Sequence, residues 1–180
     1  TFGAPIAGGP EDHALGPLAL RETSAYFGSH FSANMKAAMD IDRRMRLDGA
    51  AIAGRLVDLG DIDFHAGTAA AEARVAALAQ ALSRRAAVPA MLCGSPRLVD
   101  ALHAGLAQGL GKAVTRISVG SAAAPSLDTA LLVVIDLATI ASIWHGGTRF
   151  AGLEGLSLSQ CRAWLRGLAD HDLAGIAICG

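Results

Sequence analysis

One closely spaced set of residues has the types and spacing of a metal site. Asp61, Asp63 and His65 alternate along the segment that follows the short apolar run ending at Leu59. On an extended chain, alternate residues point to the same side, so all three could face one ion. The same pattern is also typical of a solvated turn after a strand, and the turn is the interpretation that we favour.

Nucleophilic catalysis has weaker support in the sequence. Ser95, His103 and Asp136 could form a Ser-His-Asp set, and His145, next to Trp144, could act as a ligand or a base. The sequence contains no Gly-x-Ser-x-Gly turn of the kind that presents the serine in many hydrolases. A single histidine in a loop is more often neither a ligand nor a base. These residues therefore remain open candidates.

The composition excludes several classes of function. The 180 residues include 15 Lys and Arg against 16 Asp and Glu, which gives a formal net charge of −1. Without a dense basic run, a nucleic-acid partner is not expected. No apolar stretch reaches the ~18 residues of a membrane-spanning helix. The pattern Gly109-Leu-Gly111 lacks the third glycine of a dinucleotide fingerprint and follows a helix rather than a strand.

The three cysteines, Cys93, Cys161 and Cys179, show no paired spacing and lie in apolar segments. This usage predicts buried thiols rather than a disulfide framework or a zinc knuckle. Because we also recognise no signal peptide, we expect a cytoplasmic protein.

Short apolar runs alternate with helical stretches, which predicts a mostly parallel α/β fold. Strands are predicted over residues 55–59, 88–93, 116–119, 131–135 and 174–179. Helices are predicted to begin at Gly16-Pro17, over 69–86, from Ser95-Pro96 to Gly109, and after Ser157, where Gln160 completes a capping box. Ligands in such a sheet bind at the carboxyl ends of the strands. Here those ends are followed by Gly60-Asp61, Gly94-Ser95, Gly120-Ser121 and Asp136.

Several segments, in order along the chain, resemble motifs of one enzyme family. The most specific is Val57-Asp58-Leu59-Gly60-Asp61-Ile62, which is similar to the Val-Asp-Leu-Gly-Asp-Ile/Val segment of the ureohydrolases (arginase, agmatinase and the guanidine hydrolases). Gly3-Ala-Pro5 and Gly16-Pro17-Leu-Ala-Leu20-Arg21 resemble the family's Gly-x-Pro and Gly-Pro-x-x-Ile-Arg motifs. The resemblance implies a single domain over residues 1–180 with a shortened, three-layer arginase-like fold.

The later segments resemble the strands that precede the family's metal motifs. The strand that precedes the family's Gly-Gly-Asp-His-Ser motif corresponds to Ala90-Met-Leu-Cys-Gly94 in this chain. The family's Ser-x-Asp-x-Asp motif corresponds to Val134-Ile-Asp136-Leu-Ala138. Gly175-Ile-Ala-Ile-Cys-Gly180 resembles the strand that contains Gly-x-Asp-x-x-Glu. Gly147-Thr148 and Gly155-Leu156-Ser157 are similar to the Gly-Thr and Gly-Gly-Leu-Thr motifs between them.

The chain departs from the family at the metal ligands themselves. Ser95-Pro96 replaces Asp-His, and no Asp-Ala-His-x-Asp motif occurs between Arg97 and Ile117. The other ligand positions are occupied by Ala138, Ala141 and Gly180, so that Asp136 alone remains as a vestigial ligand. A pair of divalent ions needs several anionic or imidazole ligands. The resemblance therefore implies a chain with no catalytic, cofactor-binding or metal-binding residues of its own.

The resemblance predicts a non-catalytic, metal-free subunit that assembles with an active paralogue. That paralogue would have the binuclear Mn or Ni centre and would hydrolyse a guanidino or biguanide compound to urea and an amine. The family forms trimers and hexamers, and the nearest arrangement is the two-component metformin hydrolase, with one metal-bearing and one degenerate subunit. Two alternatives stay open. One is a stand-alone hydrolase with a rebuilt site using Asp136, His145 and Ser95 or Cys93, and the other is a small-molecule-binding regulatory domain.

Overall fold

A computed structural model describes residues 37–40, 45–48, 59–62, 66–93, 96–122, 125–140 and 155–179. The elements, in chain order, are β1 (Ala37–Asp40), β2 (Met45–Asp48), α1 (Thr68–Ser83), β3 (Ala90–Cys93), α2 (Pro96–Leu110), β4 (Val114–Ser118), β5 (Ala130–Asp136), a 3₁₀ helix (Leu137–Thr139), α3 (Leu158–Arg166) and β6 (Leu173–Cys179).

The central sheet has four strands in the order β3-β6-β5-β4, and all its neighbouring pairs are parallel. The two outer strands, β3 and β4, are consecutive along the chain and are joined by α2. The last strand, β6, lies between β3 and β5. The predicted parallel α/β architecture is therefore confirmed for the described residues, and the strand limits differ from those predicted by one or two residues.

β5 is the best-buried strand, and it separates two layers of apolar side chains. Its first five residues are all buried. The continuous apolar run predicted this burial, because it is typical of a strand that is covered on both faces. Leu132 and Val134 belong to the core formed with α1 and α2. Leu131 and Val133 alternate with them and pack with Trp164 of α3. The helices therefore cover both faces of the sheet and give a three-layer arrangement.

The two helices on one face pack closely because α2 presents glycines to α1. A Cβ at Gly105 would lie 2.2 Å from the Ala76 carbonyl oxygen, and one at Gly109 would lie 2.7 Å from that of Gln80. Because both contacts advance by four residues on each helix, α1 and α2 run parallel. This packing sets the position of the first turn of α2 at the carboxyl edge of the sheet.

The antiparallel hairpin of β1 and β2, which pairs Ala37 with Asp48 and Asp40 with Met45, was not predicted. Neither strand contains a β-branched or aromatic residue, so the usual strand signal is absent. The predicted helix at Gly16-Pro17 and residues 55–58 of the predicted strand lie outside the described residues. Leu59, the last residue of that predicted strand, is not in a strand.

Candidate functional site at the carboxyl edge

Three neighbouring strands end level with one another at the carboxyl edge of the sheet. Cys93 of β3 is the register partner of Cys179 of β6, and Cys179 is also the register partner of Asp136 of β5. Neighbouring strands lie about 4.8 Å apart, so the three residues form a row across the edge. We call Cys93, Cys179 and Asp136 the carboxyl-edge row.

Asp136 stabilises the turn that follows its own strand. Its Oδ1 accepts a hydrogen bond from the backbone N–H of Ala138 at 2.9 Å, which makes it the N-cap of the 3₁₀ helix. Its backbone carbonyl accepts a second hydrogen bond from Thr139 Oγ1 at 2.7 Å. The one carboxylate retained from the resemblance therefore has a local structural role.

The loop after β4 packs against the segment before α3. Gly120 has a left-handed φ of +83°, and a Cβ there would lie 2.6 Å from Leu156 Cδ1. The Leu156 N–H donates to the Thr139 carbonyl at 2.9 Å, which links this segment to the turn after β5. From Ser118 to Ser121 the chain contains no acidic residue, so β4 adds no carboxylate to the edge.

α3 is fixed at its start and at its centre. Ser157 and Gln160 form the predicted capping box, in which the Gln160 N–H donates to Ser157 Oγ at 3.2 Å and the Ser157 N–H donates to Gln160 Oε1 at 2.8 Å. One helical turn further on, Trp164 Nε1 donates to the Ser121 carbonyl at 3.1 Å. The helix thus closes the β4 side of the carboxyl edge.

The structure does not bring together the candidate Ser-His-Asp set. His103 Nε2 donates to the backbone carbonyl of Val114 at 2.7 Å, at the start of β4. Val114 pairs with Ala130, which lies six residues before Asp136. At about 3.3 Å per residue, His103 and Asp136 are about 20 Å apart. The prediction of a triad formed by Ser95, His103 and Asp136 is therefore wrong, because His103 lies near the amino-terminal ends of the strands and Asp136 lies at a carboxyl end.

Several other candidate residues lie outside the described part of the chain, namely Asp63, His65, Ser95, Ala141, His145 and Gly180. Of the Asp-x-Asp-x-His pattern, only Asp61 is described. It is exposed, and it precedes Ile62, which is buried in the core with α1 and α2. Where the chain is described, no three His, Cys, Asp or Glu residues are arranged to bind a metal ion.

The cysteines differ from the prediction that all three are buried. Cys161, a residue of α3, is buried, as predicted, but Cys179 is only partly buried. The alignment of Cys93 with Cys179 was missed because it depends on β3 and β6 being neighbours. One signal was available, since each cysteine ends a predicted strand and is followed by glycine, Gly94 or Gly180.

Comparison with protein-family models found no match, and neither did comparison with curated proteins. Over the described residues, the fold is therefore that of an α/β protein with a four-stranded parallel sheet. Among the described helices, none is both long enough and apolar enough to cross a membrane.

Proposed function

We propose that this chain is a non-catalytic, metal-free ureohydrolase-like subunit that assembles with a metal-bearing paralogue. One observation supports the proposal above the others. The three strands that resemble the family's metal-motif strands, β3, β5 and β6, are neighbours, and their carboxyl ends are level. The family's metal motifs follow these strands, so neighbouring strand ends at one level are the arrangement that the resemblance implies.

The same strand ends lack the ligands for that chemistry. The carboxyl-edge row contains a single carboxylate, and one of its oxygens already accepts the Ala138 N–H. Two nearby divalent cations need several carboxylates and imidazoles, because ligand charge offsets their repulsion and stabilises a bound hydroxide. In this proposal the Mn or Ni centre, and hydroxide attack on the guanidinium carbon, belong to the cytoplasmic partner. This chain contributes contacts within a trimer- or hexamer-type assembly.

Co-expression with a paralogue that has intact Gly-Gly-Asp-His and Asp-Ala-His-x-Asp motifs tests the proposal. We expect one co-purifying complex, release of urea from a guanidino or biguanide substrate only when both chains are present, and divalent metal in the partner by elemental analysis. Substituting the partner's metal ligands should abolish turnover, whereas Asp136→Ala in this chain should change turnover by only a few-fold.

Two outcomes would favour the alternatives. If this chain alone hydrolyses the substrate, it is a stand-alone hydrolase with a rebuilt site. If the paralogue is fully active alone and this chain only binds the substrate, the chain is a small-molecule-binding regulatory domain.

A further inference from the structure

Exposed apolar side chains are concentrated at the amino edge of the sheet, where the strands begin. Among the described residues, three of the six large apolar side chains that are more than one-third exposed lie there, namely Val88, Leu127 and Leu173. Leu173 begins β6, Val88 comes just before β3, and Leu127 lies in the turn before β5. Because β6 lies between β3 and β5, the three residues follow one another across the edge, with Leu173 in the middle. We call Val88, Leu173 and Leu127 the amino-edge row. Clustered apolar side chains on a surface are typical of a protein interface.

Hydrogen bonds fix the backbone at both ends of this row. Next to Val88, the carbonyl of Pro89 accepts a backbone hydrogen bond from β6 at 2.9 Å, which extends the pairing of β3 with β6. In the turn that contains Leu127, Ser126 Oγ accepts the Asp128 N–H at 3.2 Å. The exposed side chains are therefore presented by backbone that is held in place.

The charges beside the row have opposite signs at its two ends. Arg84 and Arg85 follow α1 and precede Val88, and both are exposed. At the other end, Asp128 follows Leu127 directly and is also exposed. The row thus has a basic end next to β3 and an acidic end next to β5.

A second aspartate lies at the acidic end. His171 Nε2 donates to the Pro125 carbonyl at 3.3 Å, which brings the turn after α3 next to the turn before β5. Asp170, in the turn after α3, is exposed. Elsewhere at this edge, Lys112 and Asp172 form an ion pair with each other at 2.5 Å and add no net charge.

A surface with this order of charges is complementary to a second copy of itself. A two-fold axis through the middle of the row, perpendicular to the sheet, places two amino edges against each other with their ends exchanged. Leu173 of one copy then faces Leu173 of the other, and Val88 faces Leu127. The basic end of each copy faces the acidic end of the other, so every contact away from the axis forms twice.

We propose that the amino-edge row is the interface of a symmetric dimer of this chain, in which Arg84 and Arg85 of one copy pair with Asp128 and Asp170 of the other. The apolar side chains provide contact area at the centre. The charges fix the orientation, because bringing the same ends together would oppose like charges. The opposite charges at the two ends favour a second copy over an unrelated protein. The carboxyl-edge row lies at the other end of the strands and stays uncovered in this dimer.

Charge reversal in the purified full chain tests this interface. One variant combines Arg84→Glu with Arg85→Glu, and the other combines Asp128→Lys with Asp170→Lys. Each variant alone should raise the apparent dissociation constant for self-association at least about tenfold, because like charges then face each other at both ends. An equimolar mixture of the two variants should recover association, since every facing pair is again of opposite sign. Sedimentation velocity at several concentrations measures the dissociation constants.

Arg97→Glu is the matched control. Arg97 is an exposed arginine at the start of α2, at the carboxyl edge, so its reversal should leave the dissociation constant unchanged. Circular dichroism checks that each variant is folded, and every chain keeps the same α3, so any association through that helix is common to all samples.

A mixture that associates no more than the separate variants would overturn the proposal, and so would reversals with no more effect than Arg97→Glu. The experiment uses this chain alone. Its outcome is therefore separate from the test of the proposed function, which depends on the paralogue.

Discussion

At the level of single residues, Asp136 is the clearest case of a side chain whose structural role can be separated from a catalytic one. One carboxylate oxygen accepts the Ala138 N–H, and the residue begins the 3₁₀ helix that leads away from the sheet. Neither contact requires a metal ion or a substrate. The chemical difference between a capping group and a charged ligand provides a test.

Asp136→Ala should lower the free energy of unfolding by about 1 kcal/mol, because it leaves the Ala138 N–H without its acceptor. Asp136→Asn should cost less, since an amide oxygen caps about as well as a carboxylate. Urea-induced unfolding of the two variants measures this difference. If the alanine and asparagine variants are equally destabilised, the negative charge matters more than the cap, and Asp136 must be reconsidered as a ligand.

At the level of elements, the contact between α1 and α2 depends on the missing side chain of Gly105. Replacing a helical glycine by alanine ordinarily stabilises a helix by ~1 kcal/mol. Here the new Cβ would lie 2.2 Å from the Ala76 carbonyl oxygen and 2.8 Å from the Ala79 Cβ. A backbone oxygen cannot rotate away, so the clash requires the helices to move apart.

Gly105→Ala should therefore destabilise the protein by about 1–3 kcal/mol, despite the gain in helix propensity. Gly167→Ala is the matched control, because this glycine at the end of α3 has a right-handed helical φ of −61°. A Cβ added there would meet no atom closer than 3.2 Å. Thermal unfolding followed by circular dichroism compares the two. Equal melting temperatures for both variants would contradict the proposed packing.

The start of α3 provides a third prediction. The helix has nine residues, so local capping contributes a large part of its stability. Ser157→Ala removes the acceptor of the Gln160 N–H and should cost about 1 kcal/mol, whereas Ser157→Asn should largely preserve the cap. Fraying of α3 should also loosen Trp164, so tryptophan fluorescence should shift with the alanine variant. Unchanged stability in both variants would show that packing alone holds the helix.

Elements with a strong local signal were predicted correctly. β5 is buried on both faces and therefore has a continuous apolar run, and the start of α3 depends on two side chains three residues apart. The carboxyl-edge row could not be predicted in this way. Cys93 and Cys179 become neighbours only because the last strand inserts beside β3, and no local pattern specifies that order. For the same reason, the sequence could not predict that His103 and Asp136 lie at opposite ends of the strands.

At the level of the whole molecule, apolar surface remains exposed over the described residues. Six large apolar side chains are more than one-third exposed, namely Leu59, Val88, Leu127, Leu158, Leu165 and Leu173. Single exposed leucines are common, but the net charge of −1 provides little repulsion between copies of the chain. Leu158 and Leu165 are seven residues apart on α3 and therefore lie on the same side of that helix.

The isolated chain should consequently self-associate, and replacing Leu158 and Leu165 together by glutamate should shift it towards monomer. The pair is 44% and 38% exposed, so the substitution removes apolar surface and adds charge without opening the core. Ala73→Glu on the exposed side of α1 is the control for added charge and should have a smaller effect. Sedimentation velocity at several concentrations measures the fractions of monomer and larger species.

With the metal-bearing paralogue, the native chain should instead form one larger species whose contacts each bury at least ~1,000 Å², as specific interfaces do. A native chain that sediments as a monomer at every concentration, with or without the paralogue, would exclude the assembly role.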